Sequence, residues 1–542
     1  MSDLFVGVDV GTRSARAGVF DRDGLLLGSA RDPIRIWRGE GAIVEQSSDD
    51  IWRAVCACVR SALRAADADP ARIAGIGFDA TCSLVVLDAG GGPLAVGPSE
   101  ERERNVVVWM DHRAVGQSDR INVLGHEVLA YVGGALSPEM QTPKLLWLKE
   151  NRPHVFAAAA DFFDLADYLS HRATGSRARS VCTTTCKWTY LAHEARWDAG
   201  YFRAIGLAEL AEEGFGRIGT EIVDVATPIG RGLTGDAAEA LGLLPGTVVG
   251  ASLIDAHAGA LGTLGGRRKD GIVADPSGEL ALIMGTSACV MAVTPDPLFV
   301  PGVWGPYNSA LLPGSWLIEG GHSAYGAAID HLVDMHPAAE AVREAARAAG
   351  LAVLDHLEGE AVRLAGSVAD AARLAADLHV VPEFLGNRSP DADPHATAVI
   401  AGLRLDTTPD GLAALFVAGL CGLCYGTRDI VESLRAAGVD LGTIVVSGGA
   451  SRSRLLRQIL ADATGLRVAL PRSPEPVLLG SAMLGAVASG AFADLRAAAA
   501  AMSRTGEEIA PDPALAGFHE RKRRAYAILK RAERDVRALR TT

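Results

Sequence analysis

The most constraining feature of this sequence is a pattern that occurs twice: a short apolar strand, a Gly-Thr turn and a second apolar strand. The first copy is Phe5-Val6-Gly7-Val8-Asp9-Val10, Gly11-Thr12-Arg13-Ser14 and Ala15-Arg16-Ala17-Gly18-Val19-Phe20. The second runs from Leu280 to Met284, through Gly285-Thr286-Ser287, into Ala288-Cys289-Val290-Met291-Ala292-Val293. Apolar runs broken by tight glycine turns predict β-hairpins. Glycine also lets a backbone approach a phosphate closely, with amides and hydroxyls as donors. A lone turn of this kind is weak, because any hairpin favours glycine, but two of them argue for a duplicated fold.

At 542 residues the chain exceeds what one core supports, so two domains of roughly 250 residues and a cleft between them are expected. Ser47-Ser48-Asp49-Asp50 supplies N-cap candidates for a helix with Ile51, Val55, Val59 and Leu63 on one face. Ile73 to Phe78 then reads as a strand, which makes the order α/β. In the second half, Thr443-Ile444-Val445-Val446 leads through Ser447-Gly448-Gly449-Ala450 into a helix from about Ser453 to Ala463. The boundary is placed near Gly250, giving domains 1–250 and 251–542, with a helical tail from about 505. Ala-rich stretches over 338–376 predict peripheral helices, and Glu520-Arg521-Lys522-Arg523-Arg524 a solvated helix.

A net charge of −13 without a basic face excludes nucleic acid as a natural partner. Gly411 to Gly426 is uncharged but too short for a membrane span, so it predicts a buried helix. Met1-Ser2-Asp3-Leu4-Phe5 lacks the basic and apolar regions of a secretory signal, and a cytoplasmic location is expected. Cys182/Cys186 and Cys421/Cys424 lie in opposite halves of the chain without a His pair at zinc-ligand spacing, and read as reduced core thiols. The apolar excess is compatible with a homodimer.

Asp9 precedes the first Gly-Thr turn, where its carboxylate suits Mg²⁺. Asp255, in Leu253-Ile254-Asp255-Ala256-His257, ends the strand that opens the second half. Transfer of a phosphoryl group to a hydroxyl needs such a carboxylate near the acceptor. An N-cap is the equal alternative for Asp255, and His257 reads as a structural neighbour. A P-loop and a strand-linked G-x-G-x-x-G are both missing.

Taken together, Gly7-Val8-Asp9-Val10-Gly11-Thr12, Trp109-Met110-Asp111-His112-Arg113, Asp255-Ala256-His257, Gly285-Thr286-Ser287, Gly386-Asn387-Arg388-Ser389-Pro390 and Ser447-Gly448-Gly449 resemble the FGGY carbohydrate kinases. The resemblance runs in order from about residue 4 to residue 505. It implies two actin-like (ribonuclease H-like) α/β domains with a catalytic cleft between them, using ATP and Mg²⁺. Glu45 to Trp52, Phe78 to Ser83 and Cys186 to Tyr190 are similar to the D-ribulokinase branch, with L-ribulokinases next.

The resemblance implies Asp255 as catalytic base and Asp9 as the Mg²⁺ residue. It puts Gly11, Thr12, Arg13, Gly285, Thr286 and Ser287 at the phosphates, and Gly448, Gly449 and Arg452 at the adenosine. Ala80, Trp109, Asp111, Lys187, Asp255 and Glu319 would line a sugar pocket. Plain alternatives stand beside these: a core aromatic for Trp109, a turn acid paired with Arg113 for Asp111, a solvated lysine for Lys187, a turn acid for Glu319. Asn387 to Pro390 reads as a loop closing the nucleotide side. The expected reaction is phosphorylation of a ketopentose, D-ribulose first, then L-ribulose, xylulose or a pentitol. A nucleotide-driven switch or filament protein is the rival of another class.

Overall fold

The computed structural model describes residues 3–539. Met1 and Ser2, at the start of the first expected domain, and residues 540–542, at the end of the expected tail, lie outside the described residues.

The first hairpin forms as its pattern predicts. Strands β1 (Leu4–Val10) and β2 (Ser14–Phe20) pair antiparallel from Phe5 opposite Phe20 to Val10 opposite Ala15. Strand β3 (Leu26–Pro33) adds to β2 and alternates between half-buried and exposed residues, as a strand with one wet face should. Helix α1 (Ser48–Ala65) starts where Ser47 accepts a hydrogen bond from the Asp50 amide, and buries Ile51, Val55, Val59 and Leu63. Strand β4 (Ile73–Ala80) then runs parallel to β1, and β5 (Val248–Ile254) parallel to β4, so the sheet order is β5-β4-β1-β2-β3. Because β5 belongs to this first sheet, a boundary at Gly250 cuts a strand in two; the first unit extends past it. Two helices matter for the site, α2 (Val181–Trp188) and α3 (Asp255–Leu261), the latter following β5 directly.

The second half repeats the plan. Strands β6 (Glu279–Met284) and β7 (Ala288–Thr294) form the second hairpin, with Met284 opposite Ala288. β8 (Trp304–Asn308) and β9 (Trp316–His322) extend it on one side, while β10 (Thr443–Ser447) runs parallel to β6, and β11 (Arg467–Pro471) and β12 (Thr505–Ile509) follow. The order β8-β9-β7-β6-β10-β11-β12 therefore contains β11-β10-β6-β7-β9, the counterpart of the first sheet. This is the actin-like pair of domains, built by one topology used twice.

Helix α4 (Pro409–Ala436), capped by Thr408, is the one helix among the described residues long and apolar enough to cross a membrane, and 83% of its most apolar window is buried inside the fold. Helix α5 (Arg454–Thr464) follows β10. Helix α6 (Pro476–Ala488) crosses back and lies on the first sheet. It fits because the strands beneath it carry glycines: a Cβ at Gly7 would stand 2.0 Å from the Leu478 carbonyl oxygen, and one at Gly77 2.0 Å from that of Ser481.

The expected tail differs in two ways. It begins with a strand, β12, and its helix α7 (Ala516–Ala538) is docked rather than solvated. His519 shares a 2.9 Å hydrogen bond with the Tyr425 hydroxyl, buried Lys522 donates to the carbonyls of Ala375 and Leu378, and Arg523 pairs with Glu432 on α4.

Candidate active site

Three parallel strands end side by side and each delivers a carboxylate. Asp9 on β1 is in register with Asp79 on β4, and Ala80 is in register with Ile254, the residue before Asp255. Asp9 is buried and accepts a 2.7 Å hydrogen bond from Arg16 Nε, while Arg16 Nη1 reaches Glu475 at 2.7 Å. Asp79 is fully buried, and neither of its oxygens meets a hydrogen-bond donor in the protein. Burial first, then the adjacent Asp9 carboxylate, raises its pKa well above the usual carboxylate range.

Asp255 is the first residue of α3, with Ile254 as the cap, so the N-cap alternative does not hold. Its Oδ1 accepts from the Ala256 amide at 2.7 Å. Desolvation, reinforced by Asp9, pushes the half-buried group up to about 6. A carboxylate of that basicity is suited to taking a proton near neutral pH.

The second hairpin turn opens onto a cavity of about 770 Å³, within the range of small-molecule sites. Gly285, Thr286, Gly449 and Arg452 line it together. Ser287 lies at the same turn, its carbonyl accepting from the Gly285 amide at 2.9 Å. Gly448 forms the turn behind the wall, at φ 87°, where a Cβ would stand 2.4 Å from the Met284 carbonyl oxygen. Arg343 and Glu358 also line the cavity, so the helices over 338–376 wall this pocket and are not merely peripheral. In the first turn, Gly11 donates to the Ser14 carbonyl, Arg13 is exposed, and Thr12 Oγ1 accepts from the Trp109 indole at 2.9 Å. That last bond ties the glycine turn to Trp109.

Lys187 lies in the last turn of α2 in the first domain, and Glu319 comes from β9 of the second. Both are buried, and Glu319 Oε2 has no hydrogen-bond partner within the protein. Burial works to lower the Lys187 pKa, but the combined attraction of Glu319, Cys82, Tyr307 and Cys186 outweighs it, so the net shift is well upward and the ammonium is favoured. The Lys187 ammonium stands 5.8 Å from the Trp304 ring centre. Lys187 and Glu319 both act electrostatically on Asp255.

A profile described as the FGGY family of carbohydrate kinases, N-terminal domain, matches residues 4–262, and that of the C-terminal domain matches 280–489. The chain belongs to the FGGY family of carbohydrate kinases. It is 44% identical over 540 residues to an FGGY carbohydrate kinase domain-containing protein of Homo sapiens, covering 99% of this chain and 97% of that one. It is 38% identical over 516 residues to a D-ribulokinase of Saccharomyces cerevisiae, covering 90% and 72% of the two chains. The fold matches a xylulose kinase structure from Rhodospirillum rubrum with a TM-score of 0.79 at 23% identity, over 98% of this chain and 99% of that one. This FGGY chain is thus a sugar kinase acting on small molecules, and the switch or filament rival falls away.

Within the kinase, two sequence readings need correction. Asp111 does not reach a sugar. Its Oδ1 accepts from the Arg113 amide and Nε, and its Oδ2 from Arg113 Nη2 and the Val44 amide, at 2.6 to 2.9 Å, which fills all four acceptor directions of a fully buried carboxylate. Ala80 is also wholly buried and offers a sugar no surface. In the Asn387–Pro390 loop, Arg388 stands 5.4 Å from the centre of the same Trp304 ring that faces Lys187.

Four residues of this FGGY kinase site went unassigned in the sequence. Asp79 is one, although the strand-end position shared with Asp9 was a usable signal. Arg16, Trp304 and Tyr307, whose buried hydroxyl lacks a partner near Lys187, carried no local signature.

Proposed function

We propose that this FGGY kinase transfers the γ-phosphoryl group of ATP to the terminal hydroxyl of a ketopentose, D-ribulose foremost, releasing D-ribulose 5-phosphate. The observation that carries the reading is the Asp255 carboxylate at the end of β5, raised to about 6 and close enough to Lys187 of the first domain and Glu319 of the second to feel the charge of both. Asp255 accepts the proton of the attacking hydroxyl. Lys187 donates to sugar oxygens, Glu319 accepts from sugar hydroxyls with its free Oε2, and Trp109 offers an apolar face. Thr12 and Thr286, with the amides of their turns, hold the phosphates between the two hairpins.

The Asp9 and Asp79 carboxylates suit a hard divalent cation, because the two residues lie in register on neighbouring strands and Asp79 has two buried oxygens without donors. Asp9, with Asp79 beside it, would hold Mg²⁺. When bound, the ion neutralises charge on the phosphoryl group. Closure of the two domains excludes water, so that the sugar rather than solvent receives the phosphoryl group.

D-ribulose is favoured by the 38% identical D-ribulokinase, while similarity to ribulokinases near 30% identity and to xylulose kinase folds keeps L-ribulose, xylulose and pentitols as competitors. A coupled ADP-release assay over these sugars tests the choice. D-ribulose should give the highest kcat/KM; a clear preference for any competitor refutes the substrate reading.

A further inference from the structure

Directly behind the proposed site lies a cluster that phosphoryl transfer does not use. Cys182 and Cys186 occupy one face of α2, four residues apart, and His257 reaches them from α3. Their ligand atoms lie within 4.8 Å of one another, all three residues are fully buried, and each cysteine is a free thiol. The Cys186 Sγ to His257 Nε2 distance is 3.6 Å.

Those numbers have a specific meaning in coordination chemistry. Zinc bonds of about 2.3 Å to sulfur and about 2.0 to 2.1 Å to nitrogen, opened to the tetrahedral angle, put sulfur and nitrogen about 3.6 Å apart. Among the described residues this is the one group of three or more His, Cys, Asp or Glu side chains with donor atoms so closely gathered. Two thiolates and an imidazole select a thiophilic cation over Mg²⁺, whose ligands are hard oxygens. Three protein donors leave a fourth position for water, the usual number in an open zinc site.

We infer that Cys182, Cys186 and His257 form a binding site for Zn²⁺ that clips α2 to α3. The two helices carry Lys187, next in sequence to Cys186, and Asp255, two residues before His257. The ion therefore braces the acceptor-side lysine against the base. The effect on turnover rests on the roles proposed above for Asp255 and Lys187; the binding does not.

The test separates the two. Chelator-treated protein, free of nucleotide and sugar, is titrated with Cd²⁺ as a spectroscopic probe. One ion per chain should bind with an ultraviolet thiolate-to-cadmium band, and Zn²⁺ should displace it. Cys182→Ser and Cys186→Ser should each weaken Cd²⁺ binding by at least about 100-fold, whereas Cys421→Ser on α4 should leave it unchanged. Should the serine variants fail to fold, anomalous scattering from Zn²⁺-soaked crystals of the unaltered protein decides, with a peak expected between the two sulfurs and His257 Nε2. No thiolate band, a band that survives both serine changes, or no zinc peak at this position overturns the site. If Cd²⁺ and Zn²⁺ bind as stated, Zn²⁺ should change the rate of sugar phosphorylation in proportion to occupancy, and the double serine variant should show no such change relative to its own metal-free rate. Zinc that binds at the cluster yet leaves turnover untouched overturns the bracing role and leaves the assignment of Asp255 as base standing.

Discussion

Asp9 and Asp79 lie in register on neighbouring parallel strands, one paired with Arg16 and the other buried without a donor from the protein. Two carboxylates so placed cannot both stay ionised cheaply, and the one without a cation takes the proton. Asp79 is the one driven upward, by burial and then by Asp9.

Asp79→Asn keeps the shape and a donor toward Asp9, so unfolding free energy should stay within about 1 kcal/mol of the parent. Asp79→Ala removes that donor and should cost about 1–3 kcal/mol. Chemical denaturation checks the pair, and equal stability of the two variants would show that no hydrogen bond joins Asp79 to Asp9.

Asp255→Asn should lower kcat by roughly 10²- to 10⁴-fold while nucleotide affinity, measured by calorimetry, stays near the parent value. Parent-like turnover would remove Asp255 from the chemistry.

The pH profile follows from the same group. Its pKa rises from 3.8 to about 6 in the folded protein, so the base form is depleted as pH falls below about 6. The logarithm of kcat/KM should then drop with a slope of about one per pH unit on the acid side. A profile flat down to pH 5 contradicts this.

Asp111 and Lys187 should separate stability from activity. Asp111→Ala leaves Arg113 buried beside Glu45 alone and should cost about 3–5 kcal/mol in stability. Lys187→Met should lower kcat/KM for the sugar by more than about tenfold, with a smaller loss of stability. Thermal melts and sugar kinetics on both variants decide; a sugar-specific KM defect in a stable Asp111 variant would return that residue to the pocket.

Gly77→Ala drives a methyl carbon against the Ser481 carbonyl on α6. Because the obstacle is backbone, the cost should be at least about 1–3 kcal/mol. A variant that melts with the parent protein would mean α6 does not rest on the first sheet.

Local sequence was sufficient for the elements and for the strand-end placement of the candidate site's turns and carboxylates. The hairpins at Gly11-Thr12 and Gly285-Thr286, the capped helix at Ser47 and the strand-to-turn passage at Ser447-Gly448 depend on residues a few positions apart, where backbone preference and apolar period act directly. The same holds for Asp255, whose place at a strand end is a local fact.

Tertiary structure alone decided the partners. The Asp111 carboxylate is consumed partly by the amide of Val44, 67 residues away, and the basic run at 520–524 is docked because His519 meets Tyr425, 94 residues earlier. His257 joins Cys182 and Cys186 only because α2 and α3 pack together, so no ligand spacing was there to read. Whether a buried polar atom is satisfied depends on which distant groups packing brings within about 3 Å, and that is settled by the fold as a whole.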